Sequence, residues 1–156
     1  MSRSIERVRA AAAEAGLTIE VFRMGASTRT AEEAARQCGC AVEQIVKSLV
    51  FEGVGSGRLY LFLVSGADRL DLEKAAALVG EKLKRADPRK VREETGFAIG
   101  GVSPLGHADA IACFADVKLQ GYDLVWAAAG AHDAVFSARP EPLLKAARAT
   151  VADIAV

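Results

Sequence analysis

The chain is poor in the side chains from which metal centres, disulfide frameworks and hydrolase triads are built. Its three cysteines, Cys38, Cys40 and Cys113, are an odd number in 156 residues, which argues against a disulfide framework. One residue separates Cys38 from Cys40, where a zinc knuckle has two, and the two histidines, His107 and His132, complete no ligand set. The cysteines therefore read as structural or merely tolerated. Both histidines sit in glycine-containing loop segments and neither pairs with an aspartate in the sequence, so nothing points to a Ser–His–Asp triad. Neither sign of charge prevails: twenty Lys and Arg balance twenty Asp and Glu. That excludes a general electrostatic nucleic-acid binder and confines any RNA contact to a local patch. No apolar run approaches the ~20 residues of a membrane helix. Residues 1–16 carry Arg3, Glu6, Arg7, Arg9 and Glu14 among alanines, without the apolar core of a signal peptide. No membrane partner is expected, and a cytoplasmic location is. Repeats, linkers and low-complexity tracts are also missing, so one domain spanning 1–156 is expected.

Against this plain background the segment Gly100-Gly101-Val102-Ser103-Pro104-Leu105-Gly106 stands out. Glycine lets a ligand approach the backbone and proline withholds a donor, so the stretch fits neither a helix interior nor a central strand. It is either a connecting loop or a receptor that turns successive N–H groups toward one anionic point.

Helix signals frame the rest. Ser4 is placed to cap a helix ending at Gly16, with Ile5, Val8, Ala12 and Ala15 on one face. Thr30-Ala31-Glu32-Glu33 matches a capping box and opens a helix stopping at Gly39. Asp71 caps residues 72–79 before Gly80, Asp87-Pro88 opens a helix ending at Gly96, and residues 140–147 read as the last helix. Strand-like runs lie at 19–23, 45–51, 59–64, 110–114, 124–129, 135–137 and 151–154, with a glycine-rich hairpin at 53–57. Strands and helices intersperse, but the hairpin breaks strict βαβ order. A mixed-sheet α/β or α+β domain follows.

The run 45–51 contains an anomaly. Alternation puts Ile45, Lys47, Leu49 and Phe51 on one face, the bulkier and so the expected core face, with Val46, Ser48 and Val50 opposite. Lys47 then points inward, which is costly unless a partner or a polar cavity receives it; the alternative is a strand-end lysine reaching water.

The stretch from Gln44 to Phe51, taken with Thr95 to His107, resembles the YbaK/prolyl-tRNA-synthetase-associated editing-domain family. Similarity extends over nearly the whole chain, through the helix starts at Thr30 and Asp87, the segment 66–72 and the strand end 126–130. The resemblance implies a mixed α/β domain around a strongly curved, barrel-like sheet flanked by helices. It implies hydrolysis of the ester of mischarged aminoacyl-tRNA, chiefly tRNA-Pro, with no metal or organic cofactor, and with prolyl-tRNA synthetase as a possible partner. It also implies that Lys47 and the loop Gly100, Gly101, Val102, Ser103 and Pro104 line the pocket, which Gly130 and His132 border.

Chemistry supports those roles. Ester hydrolysis develops negative charge on the carbonyl oxygen, and backbone amides at Gly100, Gly101 and Val102 are suitable donors to it. Lys47 suits a point-charge contact to the carbonyl or the terminal ribose–phosphate better than a general-base role. Thr28 and Thr30 are pocket candidates that helix capping explains equally well. In residues 82–92, Lys82, Lys84, Arg85, Arg89, Lys90 and Arg92 face only Asp87, which is either a solvated face or an RNA-backbone contact. Cysteine-specific relatives carry an acidic residue near Val135 and Ser137. Its absence points toward alanyl, seryl, threonyl or 2-aminobutyryl groups. The competing reading is a non-catalytic module of the same fold that binds tRNA or a synthetase.

Overall fold

The structure is a computed structural model that describes residues 3–26, 28 and 30–156. In chain order it contains α1 (Arg3–Glu14), β1 (Val21–Arg23), α2 (Ala31–Cys38), β2 (Val46–Gly53), β3 (Leu59–Ser65), α3 (Leu72–Val79), β4 (Leu83–Arg85) and α4 (Pro88–Thr95). Then follow β5 (Ala112–Asp116), β6 (Val125–Ala128), β7 (Ala134–Ala138), α5 (Pro140–Ala146) and β8 (Thr150–Ala152), with short 3-10 turns at Val42–Gln44 and Val117–Gly121.

The polar caps set the helix starts. Thr30 is extended and its Oγ1 accepts from the Glu33 N–H at 3.1 Å. Asp71 accepts from the amides of Glu73 and Lys74, and Asp87 accepts from Arg89 with Pro88 in the first turn. Each such cap contributes about 1 kcal/mol. Two expectations shift: Ser4 lies inside α1 instead of capping it, and Ala15 is exposed beyond its end. Strand β4 lies within the basic window, where alternation gave no signal.

Strand β3 is buried along its whole length. Leu59, Leu61 and Leu63 face the larger core with Ile5, Val8, Phe136 and Leu143, while Tyr60, Phe62 and Val64 face a smaller one with Ala75 and Ile154. A strand covered on both sides needs a continuous apolar run, which Leu59–Ser65 supplies. The same double cover corrects the one-sided view of β2. Val46 and Val50 pack into the larger core, and Leu49 and Phe51 against the smaller, so neither face is the outer one.

The expected barrel-like sheet is not formed. The strands make two open sheets, one of five in the order β4-β2-β3-β5-β8 and one of three in the order β1-β7-β6. Within the larger, β2 runs antiparallel to β3 and β4, while β3–β5 and β5–β8 are parallel. Among the described residues, one isolated parallel bridge, Ile45 to Trp126, joins the sheets. Closure requires long, regularly staggered strands around the whole circuit. Here the outer strands β4 and β8 have three residues each, and β4 carries exposed Lys84 and Arg85. Short edges, charged in the case of β4, do not pair onward.

Candidate active site

Where the two sheets meet, at the Ile45–Trp126 bridge, they leave a cavity of about 320 Å³. Ile45 lines it together with Val46 and Lys47 from the start of β2; α2 contributes Ala31 and Ala34; the smaller sheet contributes Trp126, Ala127, Ala128 and Val135. Alanines at 31, 34 and 35 give α2 a thin buried face. Gly66, also on the wall, donates its N–H to the Ile45 carbonyl at 2.7 Å, and a Cβ there would run into the Val42 carbonyl. Small residues on both partners thus let α2 lie close to the end of β3.

Lys47 is half-buried on the cavity wall. It pairs across the sheet with Val64, so it shares the face of the smaller core at the end where that core runs out. Its Nζ donates to the main-chain carbonyl of Asp68. An ammonium has three donors, so among the described residues this tether leaves two N–H groups uncommitted.

The glycine-rich loop supplies the opposite wall through Gly100 and Val102. Gly100 is exposed at φ 95, a left-handed geometry that disfavours other residues. The Gly101 amide is committed, donating to Ala98 O at 3.0 Å in a turn. Among the described residues no acceptor meets the amides of Gly100 and Val102. Gly101 packs on the next loop, where a Cβ would lie 3.1 Å from the Ala131 carbonyl carbon.

Ser103, Pro104, Gly130 and His132 do not border the cavity. Ser103 is fully buried; its Oγ accepts from the Leu105 N–H at 3.0 Å and its carbonyl accepts from His107 Nε2 at 2.7 Å. Burial pushes the His107 imidazole toward its neutral form. Both groups therefore fold the loop. The His132 ring is exposed, but its carbonyl accepts from both the N–H and the Oγ1 of Thr28, at 2.7 and 2.6 Å. Thr28 and Thr30 both line the cavity. Nearby, Arg23 meets Asp133 at 2.9 Å and holds that carboxyl below its usual range.

The basic window does not form one surface. Lys84 and Lys90 approach Glu52 at 3.8 and 3.6 Å. Cross-strand partners share a face, so Arg85, opposite Phe51, points to the other side of the sheet from Lys84, opposite Glu52. Lys82, Arg89 and Arg92 remain exposed.

The cysteines stay apart from the chemistry: burial pushes the thiol of Cys38 up to about 11 and that of Cys113 to about 12. No group of three or more His, Cys, Asp or Glu among the described residues could hold a metal ion. Asp116, fully buried, is spent on the amides of Ile154 and Ala155 at 3.0 and 3.1 Å. Sequence reasoning missed Ala31, Ala34 and Gly66 as wall residues; the i, i+3 alanines and a glycine directly after a strand were the available signal. Trp126 carried no such mark, and Val135 was marked only by the acidic residue that cysteine-specific relatives carry near it.

The sequence profile of the aminoacyl-tRNA editing domain matches residues 26–146. The uncharacterized protein YwhH of Bacillus subtilis is 32% identical over 124 residues, covering 80% of this chain and 78% of that protein. The candidate Cys-tRNA(Pro)/Cys-tRNA(Cys) deacylase EbsC of Enterococcus faecalis is 27% identical over 126 residues, 80% of this chain and 76% of that one. An 81-residue stretch is 37% identical to proline–tRNA ligase of Thermosipho melanesiensis, covering 51% of this chain and 14% of the ligase. Among solved structures, a candidate trans-editing enzyme for prolyl tRNA synthetase superposes with a TM-score of 0.92 at 51% identity, over 100% of this chain and 99% of that one. A match of this extent in sequence and fold, on a chain whose lysine and glycine loop meet at one cavity, means that the protein belongs to the aminoacyl-tRNA editing domain family, the YbaK/prolyl-tRNA-synthetase-associated hydrolytic deacylases.

Proposed function

We propose that this deacylase acts in trans on tRNA-Pro carrying a small non-cognate amino acid, with Lys47 and the backbone of the 100–104 loop forming its reaction pocket. The observation that carries the reading is the placement of Lys47, Gly100 and Val102 around one cavity of about 320 Å³, whose other walls mix apolar residues such as Ile45, Trp126 and Val135 with polar Thr28, Thr30, Glu32 and Ser48. That volume is at the small end for ligand sites, which suits a short acyl side chain.

In the proposed reaction, water adds to the ester carbonyl carbon. The amides of Gly100 and Val102 receive the charge that develops on the carbonyl oxygen, a contribution of about 3–4 kcal/mol per donor in comparable sites. Lys47, tethered at the wall, supplies positive potential to the carbonyl or the ribose–phosphate. Collapse breaks the bond between the acyl carbon and the ribose oxygen. The proton from the attacking water ends on that oxygen, passed through the neighbouring ribose hydroxyl, releasing the amino acid and uncharged tRNA. The protein contributes position and electrostatics and forms no covalent intermediate.

Val135 places an apolar side chain on the wall, which supports alanyl, seryl, threonyl or 2-aminobutyryl groups over cysteinyl. The stretch shared with proline–tRNA ligase supports an association with prolyl-tRNA synthetase. The test is a deacylation panel across mischarged tRNAs, with and without that synthetase. Turnover of alanyl- or 2-aminobutyryl-tRNA-Pro is expected. Tight tRNA or synthetase binding with no hydrolysis of any member would replace the enzyme reading with a binding module.

A further inference from the structure

Helix α1 lies outside residues 26–146, which match the family profile, yet it touches both ends of the pocket loop. Gly96 and Gly106 bracket that loop at φ 82 and 83. A Cβ at Gly96 would occupy the place of the Arg7 guanidinium. One at Gly106 would lie 2.9 Å from the Arg7 carbonyl oxygen and 3.2 Å from Val8 Cα. In the turn between β6 and β7, a Cβ at Gly130 would lie 2.8 Å from the Ser4 carbonyl oxygen and 3.2 Å from the Phe97 ring. A single turn of α1 is thus seated on three glycines, two of which flank the cavity-lining amides.

The side chain of Arg7 adds a second hold. Its guanidinium carbon stands 5.8 Å from the centroid of Phe97, a ring that is 1% exposed. His107 meets the same ring edge-on at 5.9 Å and donates to the Ser103 carbonyl. The order Arg7, Phe97, His107 therefore grips the loop at its entry and its exit. Arg7 Nη1 is buried without a hydrogen-bond acceptor among the described residues. Burying one end of the guanidinium without an acceptor carries a cost that a methionine in the same space avoids, so filling volume does not account for an arginine here.

We propose that α1 clamps the pocket loop and that Arg7 is a positioning residue, fixing through Phe97 and the flanking glycines where the Gly100 and Val102 amides point. The kinetic part of this proposal rests on the oxyanion role assigned to those amides above; the structural part does not. Arg7→Met keeps the stem and removes the cation, and Arg7→Lys restores a cation without the planar fork. In the full chain, Arg7→Met is expected to speed amide hydrogen exchange in 97–106 while leaving 59–65 unchanged. It is also expected to lower kcat roughly tenfold with KM within about twofold, because misplaced donors act only in the transition state. Arg7→Lys should recover part of both effects. Should Arg7→Met melt the domain, Arg7→Gln, which keeps a polar end and removes the charge, makes the same test. Unchanged exchange in 97–106, or a uniform rise along the chain, overturns the clamp. Faster loop exchange with unchanged kcat overturns Arg7 as a positioning residue. A wild-type protein without deacylase activity defeats the functional reading instead, and exchange still decides the clamp.

Discussion

The Nζ of Lys47 is bound to the main-chain carbonyl of Asp68, whose carboxylate in turn stands 3.8 Å from Lys118 Nζ. The lysine is therefore held at the cavity wall by a neutral main-chain oxygen. Lys47→Ala is expected to lower kcat/KM for deacylation at least a hundredfold, the scale set by losing one preorganised electrostatic contact. Thermal melting should move by only a few degrees, since the side chain is half-buried at the end of a core. Near-wild-type turnover would remove Lys47 from the reaction.

Gly101→Ala makes a backbone argument testable. Its Cβ would meet Ala131 at 3.1–3.3 Å, closer than that backbone tolerates without shifting. The loop should move by a few tenths of an ångström and kcat should fall about tenfold, with KM nearly unchanged. Gly100→Ala adds the strain of a residue at φ 95, of order 1 kcal/mol or more. Steady-state kinetics on one mischarged tRNA reads both.

Cavity size should govern acyl selection. Ala34→Leu projects three further carbons from α2 into the wall. Turnover of 2-aminobutyryl-tRNA is expected to fall by a larger factor than that of alanyl-tRNA, by about tenfold per methylene-sized loss of space. Equal loss on both substrates would place the acyl group elsewhere.

Acid stability has a specific source in the β2–β3 hairpin. Glu81 accepts from the Ser56 hydroxyl, the Tyr60 hydroxyl and the amides of Gly55 and Ser56, which pull its carboxyl from 4.5 down to about 2. A folded value below the ordinary one gives stability that is complete above about pH 4.5 and is lost as pH falls through 2. Urea melts should find Glu81→Gln less stable than wild type at pH 7, with the gap closing near pH 2. A gap independent of pH would deny the carboxylate this role.

Salt dependence tests what remains of the basic window. With Lys84 and Lys90 near Glu52, neutralising Arg89 and Arg92 should reduce the log–log salt slope of tRNA affinity by about one per lost phosphate contact. Affinity that ignores both salt and these substitutions would leave the window as a solvated face.

Local chemistry announced much of this architecture. Thr30, Asp71 and Asp87 marked helix starts because side-chain caps are read within three residues, and the apolar run at 59–64 marked the central strand. Strand β4 was hidden because Leu83 alone among its three residues is apolar. Long-range arrangement was illegible: nothing local reports that β7 pairs with β1 across more than a hundred residues, or that a bridge between Ile45 and Trp126 joins the two sheets. At the site, Lys47 and the glycine loop were visible as anomalies. The commitment of the Gly101 amide to Ala98, and of the His132 carbonyl to Thr28, depends on turns whose geometry no residue pattern encodes.

Strand β3 holds the two cores together and contributes none of its seven residues to the cavity wall. Under the proposed function, the walls that select an acyl group and the strand that joins the two cores are thus different stretches of chain. Under that reading, substitutions at 31, 34, 126 or 135 retune what is hydrolysed without touching β3, although Ala31, Ala34 and Val135 are buried and larger side chains there carry a local packing cost of their own.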